Sequence, residues 1–306
     1  MFAQCPTPDI MIALSSRISR IGFLLLVLPT VIAGICRADD ARSTANDLGS
    51  QPVVTPVAEA IAPANDQDYF KFTAAGNYTA IIDATFLHAD GDIDIQLQDA
   101  SGDLANPGAQ LAISQSSSDN EQIRFPVTAG TEYYIRVFGF NGATNPSYAL
   151  GLSTTTVVNN TLGGRGDGSL HDAIGGADAL SGQFGANYDV TFNGVFGSIV
   201  LTAPISPISN QVSIIGPGKT NMSIDGNGQN RHLIIGSGAV VSISGLKFIN
   251  GDAAVLAPAD TSGGSILNLG TLDVSDSDFV GNKAIDAIGF GAGGAIASFG
   301  PLTLTR

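Results

Sequence analysis

The sequence predicts an all-β protein in two parts: a jelly-roll-like antiparallel β-sandwich, then a partial coil of parallel strands. Three observations lead there. Gly accounts for 38 of 306 residues while only 13% are charged and Trp is absent, a composition of many turns between short strands. Residues 52–155 carry short apolar/polar alternations separated by turn residues. After residue 157 aromatics become rare, and β-rich triplets recur at intervals of about 10 residues among Gly, Asn, Ser and Asp.

Residues 1–38 read as a secretory signal peptide. Arg17 and Arg20 precede an uncharged apolar run, Ile21 to Ile35, and Ala38 ends the stretch before Asp39 and Asp40. A basic start, a short apolar core and a small residue at the cut are the marks of such a segment, and the run is shorter than the roughly 20 residues a bilayer crossing needs. Met11 is an alternative start that would bring the arginines nearer the beginning. Cleavage after Ala38 removes Arg17, Arg20, Arg37 and Asp9, so the net charge of −14 becomes −16. It also removes Cys5 and Cys36, leaving a mature chain without disulfides. No second apolar run long enough to cross a membrane follows.

Asp39 to Gln51 is polar and aperiodic and is expected to be a linker. From Pro52 to about Thr155, strands are expected around Tyr69–Phe72, Tyr78–Ile82, Ile93–Leu97, Gln122–Phe125 and Tyr133–Val137. Ala75-Gly76-Asn77, Ser101-Gly102, Asn106-Pro107-Gly108, Ala129-Gly130 and Asn141-Gly142 supply turns between them. Half-buried strands alternate in this way, and about 100 residues bury a workable core. Residues 156–306 form the second part. Its triplets include Ile199-Val200-Leu201, Val212-Ser213-Ile214, Met222-Ser223-Ile224, Leu233-Ile234-Ile235, Val241-Ser242-Ile243 and Leu246-Lys247-Phe248, with Leu272-Asp273-Val274 and Leu302-Thr303-Leu304 later. Short strands joined by small-residue corners stack turn upon turn.

Two resemblances follow from particular blocks. Residues 65–72 (Asn65-Asp66-Gln67-Asp68-Tyr69-Phe70-Lys71-Phe72), Gly91 to Asp99 and Val127 to Val137, with Tyr148-Ala149-Leu150 as a last strand, resemble the bacterial pre-peptidase C-terminal domain. That resemblance implies a non-catalytic β-sandwich module of exported proteins that assists secretion or binding; here no protease domain precedes it. In the second part, Gly168-Ser169-Leu170-His171-Asp172-Ala173-Ile174 resembles the leading helix of right-handed parallel β-helix proteins of the bacterial surface. Phe279-Val280-Gly281-Asn282 and Gly293-Gly294-Ala295-Ile296 resemble the repeats of polymorphic outer membrane proteins. The strand ending at Arg306 looks uncapped, and solenoids need capped ends, so a longer surface protein continuing past Arg306 is expected.

The candidate site chemistry is acidic. Asp90, Asp92 and Asp94 alternate and would share one strand face, where like charges repel unless screened. Asp66 and Asp68 would join them if their strand end lies nearby. Calcium takes six to eight oxygens, so these five residues are the candidate ligands of a structural calcium ion; the alternative is a solvated acidic edge that keeps strands from pairing with other chains. The spacing is not that of an EF-hand. Asp225, Asp273, Asp276 and Asp278 could act as acid and base in glycan cleavage, but the expectation is that they stabilise corners. Arg231-His232 is expected at the surface or in stack packing, and His88 exposed. Arg165-Gly166-Asp167 matches a cell-adhesion tripeptide but lies in a Gly-rich connector where such a match arises by chance. No catalytic triad, phosphate loop or Cys/His metal spacing is present.

The acid excess argues against nucleic acid, because nothing here replaces the counterions condensed on phosphates. The expected function is therefore that of a secreted or cell-surface protein with a non-catalytic, adhesin-like binding role toward an extracellular polysaccharide or protein surface. The alternative is the N-terminal part of a carbohydrate-active β-helix enzyme, a polysaccharide lyase or hydrolase.

Overall fold

The computed structural model describes residues 39–101, 108–253, 262–284 and 291–306. The expected signal peptide, both cysteines and parts of the Ser101-Gly102 and Asn106-Pro107-Gly108 turns lie outside them. Among the described residues, no helix is long and apolar enough to cross a membrane.

Nine strands form a two-layer sandwich: β1 (Asn46–Asp47), β2 (Val54–Ile61), β3 (Gln67–Thr73), β4 (Tyr78–Thr85), β5 (Ile93–Asp99), β6 (Gln110–Ser114), β7 (Glu121–Val127), β8 (Glu132–Gly139) and β9 (Asn145–Thr154). One sheet runs β1-β3-β8-β5-β6 and the other β2-β9-β4-β7. All pairs are antiparallel except β1–β3. The alternation read from the sequence sets the inward faces: Phe70 and Phe72 from β3, Ile93, Ile95 and Leu97 from β5, Ile135 and Val137 from β8, and Ile82, Leu150 and Leu152 from the facing sheet are all buried in one cluster. Residues 39–51, expected as a linker, pack onto this sandwich instead. Asp39 and Arg42 are buried, β1 adds an edge strand, and the Arg42 guanidinium lies 4.0 Å over the Tyr134 ring. The physical reason is backbone pairing, which a polar, aperiodic stretch does not advertise.

The second part is a three-sided coil of parallel strands. One side stacks β10 (Val157–Val158), β11 (Tyr188–Phe192), β13 (Gln211–Ile215), β16 (Val240–Ser244), β19 (Thr271–Ser275) and β22 (Leu302–Thr305). A second stacks β12 (Gly197–Val200), β14 (Met222–Asp225), β17 (Lys247–Ile249) and β20 (Asp278–Val280), and the third β15 (Leu233–Ile235), β18 (Ile266–Asn268) and β21 (Ile296–Ser298). Every register in these three sheets is parallel, and like residues meet like: Val190, Ile214, Ile243, Val274 and Leu304 form one column, Ile199, Ile224, Phe248 and Phe279 another. Phe248 and Phe279 stack with centroids 5.2 Å apart and ring planes 14° from parallel. Strands about 4.8 Å apart hold each column in continuous contact, which stabilises the coil without any disulfide.

Between the two lies α1 (Leu170–Phe184), capped by Ser169, whose hydroxyl accepts from the Asp172 amide, and closed by left-handed Gly185. One face of α1 (Leu170, Ala173, Ile174, Ala177) enters the coil's core, while Ala179 packs on the sandwich core. Contact is closest at Gly175, where a Cβ would stand 1.6 Å from the Asn77 carbonyl oxygen. The helix thus fills the coil's first opening and joins it to the sandwich. Alanine is ordinarily better than glycine in a helix by about 1 kcal/mol. Gly175→Ala is nevertheless expected to destabilise the protein, by about 1–3 kcal/mol, as read from its denaturant midpoint.

Candidate functional site

The structure separates the five aspartates named from the sequence. Asp68 shares parity with Phe70 and Phe72 on β3, so it points between the sheets, and it is buried. Asp94 has parity opposite to Ile93 and Ile95 and so lies on the outer face of β5. There it is also buried and accepts a 3.0 Å bond from Gln115 Nε2. β3 and β5 flank β8, roughly two strand spacings apart, near 10 Å. Asp90 lies not on a strand but in a single 3-10 turn, His88–Asp90. Asp92 pairs with His88, Oδ1 to Nδ1 at 3.2 Å, and His88 is half-buried rather than exposed.

A different acidic group forms around Asp68. One carboxylate oxygen from each of Asp39, Asp40 and Asp68 lies within 4.8 Å of the others. Asp39 and Asp40 belong to the segment expected as a linker, so the sequence pattern gave no reason to include them. Asp66 stands beside this group: its Oδ2 accepts from the Ala62 amide at 2.8 Å and its Oδ1 from the Gln67 amide at 3.0 Å. Across the sandwich, the Tyr148 hydroxyl donates to Asp68 Oδ2 at 2.5 Å. Burial raises the Asp68 pKa to about 7, opposed by the Tyr148 bond and reinforced by the charges of Asp39, Asp66 and Glu59. Burial also raises Asp66, with Asp40 adding to the rise and the two amides opposing it. Tyr148 is pushed well above its ordinary value, first by burial and then by the Asp68 charge. Crowded carboxylates of this kind are stabilised either by holding a proton or by sharing a hard cation, for which they supply the oxygen ligands calcium prefers. Asp68 belongs to the group the structure assembles and Asp66 stands beside it; Asp90, Asp92 and Asp94 lie outside it.

The coil carries a second polar feature. Corners after β14, β17 and β20 stack into an open groove of about 480 Å³ lined by Asp225, Asn227, Gly228, Asn250, Gly281 and Lys283. Asp225 Oδ1 accepts from the Asn227 amide at 2.8 Å and from Asn250 Nδ2 at 3.1 Å, so it braces two successive corners while its outer side faces the groove. Asn227 (φ 57°), Asn250 (φ 52°) and Gly281 (φ 67°) take the left-handed conformation that each sharp corner requires. Lys283 pairs with Asp252, Nζ to Oδ2 at 2.9 Å.

The histidines of the coil are structural. His232 is completely buried. Its Nε2 donates to the Ile249 carbonyl at 3.1 Å, so Nδ1 is left to accept from the Ser265 hydroxyl at 2.9 Å. Burial pushes its pKa down to about 4. Its neighbour Arg231 is buried too, bonding the Gly263 and Ser262 carbonyls. The adhesion-like tripeptide is consumed internally. Asp167 takes both Nε and Nη2 of Arg124 at 2.7 and 2.8 Å. Arg165 Nε bonds buried Asp172 at 3.2 Å, and Arg165 also reaches Thr128 and the Val127 carbonyl.

The crystal structure of the pre-peptidase C-terminal domain of collagenase from Bacillus anthracis is 22% identical, covering 36% of this chain and 94% of that one, with a TM-score of 0.28. Aeromonas hydrophila PliG, a periplasmic inhibitor of g-type lysozyme, is 10% identical, covering 35% of this chain and 95% of that one, with a TM-score of 0.28. The catalytic unit of a GH87 α-1,3-glucanase from Streptomyces thermodiastaticus is 13% identical, covering 75% of this chain and 50% of that one, with a TM-score of 0.26. TM-scores this low do not carry function from one protein to another. No curated protein matches the chain.

The acid group yields a pH prediction. A carboxyl whose folded pKa lies above its unfolded value near 3.8 contributes no penalty below that value and loses stability as pH rises through about 7. Asp68→Asn keeps an acceptor for Tyr148 and abolishes this titration. In metal-free buffer the variant is expected to be the more stable protein at pH 8, by about 1–3 kcal/mol, and to show a flatter melting profile between pH 4 and 8. A variant that melts lower at pH 8 would contradict the assignment. Residues 66–139, the span that contains Asp68 and most of the sandwich, match the family model of the bacterial pre-peptidase C-terminal domain.

Proposed function

We propose that this is an exported bacterial protein with a non-catalytic binding role. In this reading the coil presents a repetitive polar face to an extracellular polysaccharide or protein surface, and the sandwich assists secretion or binding. The observation that carries the reading is the groove along the coil. Its lining residues come from consecutive corners, so its polar groups repeat along the axis at about the 4.8 Å strand spacing, close to the length of one sugar unit. That geometry suits an extended polymer laid across several turns better than a compact metabolite. The match of residues 66–139 to a domain family of bacterial exported proteins supports an extracellular setting, and so does the net charge of −14, which disfavours anionic partners.

The test is retention of the full chain on insoluble neutral polysaccharides. Asp225→Ala combined with Asn250→Ala is expected to weaken retention about tenfold, the effect of losing one to two hydrogen bonds. Unchanged retention removes the groove from the reading. Release of new reducing or unsaturated ends from any of these polymers would replace it with the carbohydrate-active enzyme alternative.

We also propose calcium as a structural ligand of the acidic group, held by Asp39, Asp40 and Asp68 with Asp66 alongside. Among the five aspartates singled out from the sequence, Asp94 would then be an outer-face residue of β5, and Asp90 and Asp92 would belong to the turn that precedes it. A chelator is expected to lower the melting temperature of the wild type at pH 8 by several degrees, as loss of a ligand specific to the folded state does, and to leave Asp68→Asn unchanged. A wild type insensitive to the chelator would rule the ion out.

A further inference from the structure

The seam between sandwich and coil holds a cleft of about 500 Å³, within the range of roughly 300–1,000 Å³ typical of small-molecule sites. Four separate stretches build it: Gln51 and its neighbours, the sandwich turn Ala75–Gly76, the second half of α1, and the coil loop Ser209–Asn210. It therefore exists only because the two parts are docked, and side-chain hydrogen bonds tie its walls together. Gln183 on α1 clamps the first stretch, donating to Gln51 Oε1 at 3.0 Å and to the Val53 carbonyl at 3.1 Å. Asp178 clamps the last, its Oδ1 accepting from the Ser209 and Asn210 amides at 2.9 and 2.8 Å.

The chemistry left over on these walls narrows the ligand. Asp178 is the only charged residue of the lining, so an anion finds no counter-charge and a divalent cation finds too few carboxylates. No aromatic or large aliphatic residue lines the cleft, which excludes a lipid or a flat apolar ring. What remains is a set of short-range hydrogen-bonding groups: Asp178 Oδ2, the Gln51 amide nitrogen, and the hydroxyls of Ser50 and Ser209. Paired donors and acceptors with one carboxylate match vicinal hydroxyl groups, which donate to the carboxylate and accept from amides. Ala179 and Gly182 add small residues to the lining.

We infer that this seam cleft is a binding site for a short, neutral, hydroxyl-rich ligand, a saccharide of one to three rings or the end of a longer chain. The inference rests on the reading that the protein meets extracellular glycans and adds to it a site apart from the groove of the coil. The test is calorimetric titration and saturation-transfer NMR of the full chain with four neutral probes: cellotriose, maltotriose, laminaritriose and chitotriose. At least one is expected to bind. Ser209→Trp places a large ring at the exposed rim without touching either core and is expected to abolish that binding. Asp178→Asn keeps the acceptor for the two amides but loses the charge, and is expected to weaken binding five- to twentyfold. Binding that survives Ser209→Trp, or that falls with Asp225→Ala instead, overturns the seam site while keeping the coil groove. Failure of all four probes overturns the seam site, whatever the polymer retention shows.

Discussion

The arrangement of this molecule depends on a buried carboxylate at the start of the one α-helix among the described residues. Asp172 is completely inaccessible and accepts from Thr79 of the sandwich at 2.7 Å and from Arg165 of the connector at 3.2 Å, while its amide closes the helix cap. Removing one partner from such a site leaves an uncompensated buried charge and costs about 3–5 kcal/mol. One turn of α1 then approaches the sandwich so closely that only glycine fits at 175 and 176, with the Asn77 and Thr155 carbonyls in the space a side chain would need. Orientation, cap and connector are over-determined together. A solenoid's first coil has one open face, and here that face is closed by the helix and, behind it, by a whole domain.

The two parts of the chain are stabilised in different ways, and their polar sites follow from that. The sandwich buries one compact cluster between two sheets, so a carboxylate pointing inward, as Asp68 does, must acquire a proton, a cation or a strong donor; Tyr148 supplies the donor. The coil instead repeats one cross-section. Its apolar columns run continuously from Val190 to Leu304, and anything placed at one corner recurs a strand spacing away. Asn227, Asn250 and Gly281 stand at such corners for backbone reasons, and their side chains and neighbours form a polar stripe as a by-product. A concentrated acidic group on the sandwich and a distributed polar face on the coil are therefore consequences of topology before they are features of function.

Much of the candidate chemistry was legible only in part. Alternation at Asp90, Asp92 and Asp94, with Asp66 and Asp68 expected to join them, says nothing about which face is inward when an apolar residue stands on both sides. Ile93 and Ile95 claim the core on β5, so Asp94 is forced outward; Phe70 and Phe72 do the same on β3 and draw Asp68 inward. Asp39 and Asp40 join Asp68 through a backbone bond from Tyr69 to Asp39, an interaction with no periodic trace. His232 and Arg231 follow a turn and read as surface or stacking residues. Their burial is decided by the neighbouring coils, where the Ile249 carbonyl and Ser265 hydroxyl bond the two ring nitrogens of His232 and the Gly263 and Ser262 carbonyls accept from Arg231.

The sequence by itself determined the strand content, the change of texture near residue 157 and the inward columns, because periodicity and glycine act locally. The matching register of Ile214, Ile243 and Val274 follows from the even spacing of the triplets. Tertiary structure alone decided which aspartates meet, that Arg165-Gly166-Asp167 is spent on an internal clasp rather than displayed, and that a cleft opens where the two parts join. Each of these depends on residues tens of positions apart arriving at one place, and their distances are set by how the helix docks, which no local pattern encodes.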